Sequence, residues 1–213
     1  MRRRKLGRRW TLKPSDRTCV DVCSANSGAE PLNDIAKLTQ AYRFAADRHV
    51  GQRRKGEAAE PYVNHLAEVA DLVARATGGV DVELVMAAVL HDTVEDTDTT
   101  FEEIAARFGD RVAGLVAEVT DDKTLPSAER KRLQVEHAAH ASHGAKVIKL
   151  ADKTSNLRAM ADSPPRNWSE ARRAEYLEWG RRVVANCRGA NPWLEAKFDA
   201  AAAALEARVG VPA

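Results

Sequence analysis

The chain has no long apolar run, few cysteines and almost no net charge, and each shortage removes a class of function. Its longest uninterrupted apolar stretch, Leu84 to Leu90 ("LVMAAVL"), has seven residues, where a helix crossing a membrane needs roughly 20. A membrane partner is therefore not expected. The three cysteines are Cys19 and Cys23, at C-x3-C spacing, and a solitary Cys187. They offer neither the paired C-x2-C of a zinc or redox motif nor a disulfide framework, so free thiols in a reducing cytoplasm are the expectation.

The formal charge of +2 is unevenly spread. Residues 1–13 ("MRRRKLGRRWTLK") carry seven Lys/Arg and no acid, leaving 26 Lys/Arg against 31 Asp/Glu, about −5, over the other 200 residues. A mildly acidic body argues against nucleic acid as the partner. The stretch after the basic head, "WTLKPSDRTCVDVC", lacks the apolar core of a signal peptide. Residues 1–32 read as a basic, disordered leader and residues 33–213 as one cytoplasmic domain, long enough for a well-buried core.

Alternating strand patterns are missing as well. From Asn33 onward, apolar residues recur at helical spacing between cap and break signals. Asn33 caps the first helix, and Gly78-Gly79 close the second. A single helix is expected over residues 81–96. Thr100 with Glu103 reads as a capping box, ended by Gly109. Ser127 reads as the cap of the next helix, and Gly144 precedes the long segment "AKVIKLADKTSNLRAMA", which stops before Pro164-Pro165. Ser169 opens another helix, and Asn191-Pro192 place cap and proline at the start of the last. The expected fold is all-α, a single bundle of about nine helices with short loops and no repeats.

Chemistry concentrates where the apolar run ends, in "LHDTVEDTDTT" (residues 90–100). His91 and Asp92 close the run, and Glu95 and Asp96 follow at i+4, one turn above them. Imidazole and carboxylates in this arrangement suit a divalent ion such as Mn²⁺, with zinc and iron as competitors; a satisfied histidine at a solvated acidic helix end is the plainer alternative. His65 stands among apolar positions in "PYVNHLAEVA", as a hydrogen-bonded core residue or as a ligand. Asp152 follows Val147, Ile148, Leu150 and Ala151, with Asn156 one turn on. A carboxylate on such a face needs a partner, and an ion shared with His65, His91 and Asp92 would supply it. His137, His140 and His143 look similar, but i, i+3, i+6 spacing does not hold all three on one helical face.

His65, the His91-Asp92 pair and Asp152 resemble the H…HD…D pattern of the HD-domain metal-dependent phosphohydrolases. Over about residues 35–210 the chain also resembles the hydrolase domain of Rel/SpoT proteins, through "PYVNH", "LHDTVEDTDTTFEEI", "FGDRVAGLVAEVTDDKTLP", "ERKRLQVEHAAHASHGAKVIKLADKTSNLR" and "EYLEW". Within that family it is most similar to the stand-alone small alarmone hydrolases of the metazoan SpoT-homologue type. The resemblance implies an HD-domain helical bundle and a Mn²⁺-dependent enzyme. That enzyme removes the 3′-pyrophosphate of ppGpp or pppGpp, the alarmones of the stringent response, giving GDP or GTP and pyrophosphate. It implies His65, His91, Asp92 and Asp152 as metal ligands, and Glu95 and Asp96 as the acidic pair that positions or deprotonates the attacking water. It implies Arg54 and Lys55 against guanine and phosphate, Asn156 and Tyr176 lining the nucleotide pocket, and Arg172 facing the phosphate end. Ser127 stands where relatives tend to carry a lysine after "TLP", so one phosphate contact is expected to be missing. The same site would also serve removal of the 2′-phosphate of NADPH, and a catalytically silent alarmone-binding protein is the non-enzymatic alternative. Silent members are expected to lose ligands or the Glu-Asp pair; here every one is present. The oligomeric state is left open.

Overall fold

A computed structural model of the chain describes residues 32–210. The readings of the basic leader and of Cys19 and Cys23 fall outside these residues. Ten helices appear in chain order: α1 (Asp34–Arg48), α2 (Val63–Ala76), α3 (Val82–Leu90), α4 (Thr93–Asp96), α5 (Phe101–Phe108), α6 (Asp110–Val119), α7 (Ser127–His140), α8 (His143–Asp162), α9 (Glu170–Ala185) and α10 (Pro192–Val209). α4 is a single turn, which leaves nine longer helices. Among the described residues the sole extended pairing is one isolated antiparallel bridge between Arg53 and Pro61, which closes the α1–α2 loop.

Side-chain caps set most of the boundaries. Asn33, Asp81, Thr100, Ser142, Ser169 and Asn191 each accept a backbone N–H from the first turn of the helix that follows, satisfying one of that turn's unpaired donors. Three expectations change. The capping box at Thr100 is only half made, because the Glu103 carboxylate turns to Arg48 and Arg107 instead of the cap's own N–H. Ser127 is the first residue of α7 rather than its cap; Pro126 holds the cap position and no side chain bonds there. Ser142, not Gly144, starts the long helix, and Gly144 lies in its first turn against Leu115 and Leu84.

α8 is the axis of the bundle. It packs against α2, α6, α9 and α10 and is buried on several sides, so that even Lys149, Lys153, Thr154 and Ser155 are removed from solvent. The apolar run of α3 is buried at each position from Leu84 to Leu90 and packs against α1, α2 and α6. Burying one Leu or Val of this kind contributes about 1.5–3 kcal/mol. The core therefore fixes where α2, α3 and α8 meet, and polar residues placed on those three helices inherit that precision.

Candidate active site and metal centre

The helix expected over residues 81–96 is broken in two, and the break makes the site. His91 ends α3 in helical conformation, while Asp92 sits at φ −99°, ψ −2°, in the sparsely populated bridge region where functional residues are often held. The chain then makes one more turn, closed by the Asp96 N–H on the Asp92 carbonyl at 2.9 Å. Thr97 stops it, its hydroxyl donating to the Thr93 carbonyl at 2.6 Å. This corner aims His91 and Asp92 at His65 of α2 and Asp152 of α8. One ligand atom each from His65, His91 and Asp152 lie within 4.8 Å of one another. Asp92 joins them: its Oδ2 is 3.0 Å from His91 Nε2 and 3.4 Å from His65 Nε2, while Asp152 Oδ1 is 3.3 Å and 3.8 Å from the Nε2 atoms of His65 and His91.

The outer partners of these residues fix which ring nitrogen faces inward. His91 Nδ1 lies 2.9 Å from the Ala88 carbonyl, which can only accept, so Nδ1 carries a proton and Nε2 is the nitrogen turned inward. His65 Nδ1 lies 2.9 Å from Ser155 Oγ, whose own hydroxyl donates to Glu68 at 2.6 Å. The serine oxygen is thereby left to accept from His65, and Nε2 is again the nitrogen that faces the carboxylates. The Nε2 atoms of two imidazoles and two carboxylates converge, and His91 Nε2 is a buried atom without a hydrogen-bond partner. Such a space calls for a cation. A proton and a cation compete for it: burial pulls the His91 ring down, yet Asp92 and Asp152 beside it hold its proton affinity well above the ordinary histidine value. Burial likewise opposes ionisation of Asp92 and Asp152, but His91 beside Asp92, Lys153 beside Asp152, and His65 beside both keep the two carboxyls well below the usual range. Two imidazoles and two carboxylates fit a divalent first-row metal. His137, His140 and His143 lie on α7 and at the start of α8; among the described residues only His65, His91 and Asp152 form a potential metal-binding group.

The ligand cluster opens into a cavity of about 800 Å³, a volume ordinary for a small-molecule site. Glu95, Asp96, Arg54, Lys55, Asn156, Arg172 and Tyr176 all line it. Glu95 Oε2 accepts the Asp121 N–H at 3.1 Å, with Arg130 3.9 Å from its other oxygen. Burial pushes the Glu95 carboxyl up. The negative Asp92, Asp121 and Asp96 add to this against the opposing Asp121 N–H, and the value reaches about 7. Asp96 is paired with Lys123. Arg54 is held to α8 by donating to Ser155 Oγ at 3.3 Å and to Asn156 Oδ1 at 2.9 Å, and Asn156 in turn donates to Asp152 Oδ1 at 2.5 Å. The guanidinium of Arg172 lies 4.4 Å from the Trp168 ring centre. Lys55 is exposed at the rim, and Ser127 reaches the same cavity.

Several residues in contact with the cluster carry no periodic signal. The Tyr62 hydroxyl donates to Asp92 Oδ2 at 2.6 Å, and its burial beside that carboxylate raises its pKa strongly, so it remains a donor. Ser155, 90 residues away in the chain, and Glu68, one turn along α2, orient His65. Lys153 Nζ meets Asp152 Oδ2 at 2.9 Å. One signal was available: Lys149 and Lys153 interrupt the apolar face of "AKVIKLADK" at i, i+4.

Comparison with known proteins gives the family. A family model described as the HD domain matches residues 41–177. Guanosine-3′,5′-bis(diphosphate) 3′-pyrophosphohydrolase MESH1 of Xenopus tropicalis is 52% identical over 167 residues, 78% of this chain and 93% of that protein. MESH1 of Homo sapiens is 52% identical over 163 residues, 76% of this chain and 91% of that protein. A solved structure of a metazoan orthologue of SpoT that hydrolyses ppGpp superposes with a TM-score of 0.77 at 44% identity, covering 86% of this chain and 99% of the other. The chain belongs to the HD-domain family, in its MESH1 branch.

Proposed function

We propose that the protein is a Mn²⁺-dependent hydrolase that removes the 3′-pyrophosphate of ppGpp and pppGpp. The observation that carries this is the convergence of His65, His91, Asp92 and Asp152 beside a cavity lined by a near-neutral glutamate and a set of basic and aromatic side chains. The MESH1 relatives, which bear this activity in their names, support it.

His65, His91, Asp92 and Asp152 would hold the ion, and Mn²⁺ suits a mixed imidazole and carboxylate set. When bound, such an ion polarises phosphoryl oxygens and lowers the pKa of water. Glu95 is the general base. A carboxyl poised near neutrality takes a proton efficiently at physiological pH, and Asp96, braced by Lys123, positions the water beside it. The water oxygen bonds to the phosphorus carried on O3′ as one water proton passes to Glu95. The P–O3′ bond breaks, and O3′ keeps the electron pair and takes up a proton, giving GDP or GTP and pyrophosphate. Arg54, locked flat by Ser155 and Asn156, offers a guanidinium plane for stacking on guanine. Tyr176 and Asn156 line the nucleotide's path, and Lys55 and Arg172 meet phosphate.

The test is to incubate the purified protein and Mn²⁺ separately with ppGpp and with NADPH and to compare initial rates. Faster release of pyrophosphate from ppGpp is expected. Efficient release of orthophosphate from NADPH with an inert ppGpp would instead assign the site to a ribose 2′-phosphate.

A further inference from the structure

Lys149 and Lys153 are only 5% and 6% exposed, one helical turn apart on the wall of the cavity. An ammonium withdrawn from water needs a compensating anion. Lys153 has Asp152 Oδ2 at 2.9 Å and lies 4.5 Å from the Trp179 ring centre. Lys149 has no such partner: among the described residues no hydrogen bond or ion pair reaches its Nζ, and the like charge of Lys153 stands nearby. A third ammonium, Lys131 of α7, lies 5.4 Å from the Trp179 ring and 5.9 Å from that of Tyr176. Trp179 donates through Nε1 to the Lys131 carbonyl at 3.0 Å, which ties α7 to α9 beside that ring.

The carboxylates of Asp152 and Asp121 stand near Lys149 and Lys153, and neither makes a hydrogen bond or ion pair with Lys149. Asp152 also serves the two imidazoles, and the nearby Asp121 carboxylate accepts from Gln134 at 2.5 Å. Two buried ammoniums side by side are costly unless an anion joins them. In a ribose 3′-diphosphate the attacked phosphorus must lie at the ligand cluster, and the terminal phosphoryl is one bridging oxygen further on. Lys153 touches the ligand Asp152 and is therefore next in line.

We propose that Lys149, Lys153 and Lys131 form the subsite for the terminal phosphoryl group of the 3′-diphosphate, and thereby make the enzyme select diphosphate over monophosphate esters. This rests on the hydrolase reading above and deepens it. Ammonium groups meet phosphate as point charges without fixed geometry, and a monophosphate ester places nothing among them.

The experiment compares wild type with Lys149→Met, Lys149→Arg and the exposed-residue variant Lys131→Met. Rates are measured on ppGpp and on the 2′-phosphate of NADPH, and binding of inorganic pyrophosphate and orthophosphate by calorimetry. Loss of one charge-assisted contact is expected to lower kcat/KM for ppGpp in Lys149→Met by ~10–100-fold. The ratio of ppGpp to NADPH rates should fall with it, pyrophosphate binding should weaken by a similar factor, and orthophosphate binding and metal content should hold. Lys149→Arg should recover most of the loss, and Lys131→Met should shift selectivity the same way by less, which keeps the test open if Lys149→Met does not fold. Equal loss on both esters, or undiminished pyrophosphate affinity in the variants, would overturn the subsite. Should the wild type hydrolyse neither ester, the hydrolase reading fails, and the pyrophosphate titration still decides the subsite by itself.

Discussion

Glu95 lies one turn of chain beyond His91 and Asp92, and in the proposed mechanism that separation divides base from metal ligands. Its carboxyl is set near 7 by burial and by the surrounding carboxylates, and a divalent cation beside it pulls the value down. As a base it must be ionised, so activity is expected to rise with pH through an apparent pKa at or below about 7. Glu95→Gln keeps the shape and cannot take a proton. Turnover should fall by ~10²–10⁴-fold, with metal content nearly unchanged, and Asp96→Asn should fall in the same direction. Parallel loss of metal would put the pair inside the coordination sphere. Stability carries the opposite sign. In chelator-treated protein a raised carboxyl favours the folded state below its unfolded pKa, and that contribution is lost as pH rises toward about 7. Melting curves between about pH 5 and 8 should therefore fall less steeply for Glu95→Gln than for wild type.

Among the elements, the loop between α1 and α2 matters as much as any helix. It delivers Arg54 and Lys55, and it is pinned to the end of α8 by the Glu57 N–H on the Pro164 carbonyl at 3.2 Å and the Ala58 N–H on Ser163 Oγ at 2.8 Å. Gly56 makes this approach possible: a Cβ there would stand 2.2 Å from the Ser163 carbonyl oxygen, a backbone atom with no rotamer to escape into. Gly56→Ala is expected to lower the melting temperature, at a cost of about 1–3 kcal/mol typical of overpacking, and to raise KM several-fold with metal content intact. Unchanged KM would show that the loop does not position the basic pair. Helix ends were legible from their caps, because a cap is a local bond between neighbours in sequence; Asn33, Ser169 and Asn191 lie where the pattern puts them. The break after His91 was not. Helical periodicity continues through "HDTVED", and only the tertiary demand to face α2 and α8 together stops α3 there. Ser127 misled for a related reason, since Pro126 already holds the cap position of α7 and leaves the serine lining the cavity. The proposed ligand residues stand out in the sequence as types out of place on apolar faces, whereas Tyr62, Ser155 and Glu68 reach the cluster through contacts that no local pattern encodes.

For the molecule as a whole, α2, α3 and α8 are buried against one another by their apolar faces, and the same packing brings His65, His91, Asp92 and Asp152 together. An ion held there binds the folded chain and not the unfolded one, so it stabilises by mass action, and chelation should lower the melting temperature. The most direct measurement is the Mn²⁺ content of wild type, His91→Ala and Asp152→Ala set beside their initial rates on ppGpp. The wild type is expected to bind the ion stoichiometrically, to lose hydrolysis on chelation and to regain it with added Mn²⁺, while both variants lose ion and activity together. Full metal content and full activity in either variant would contradict the assignment of this cluster as the catalytic metal centre.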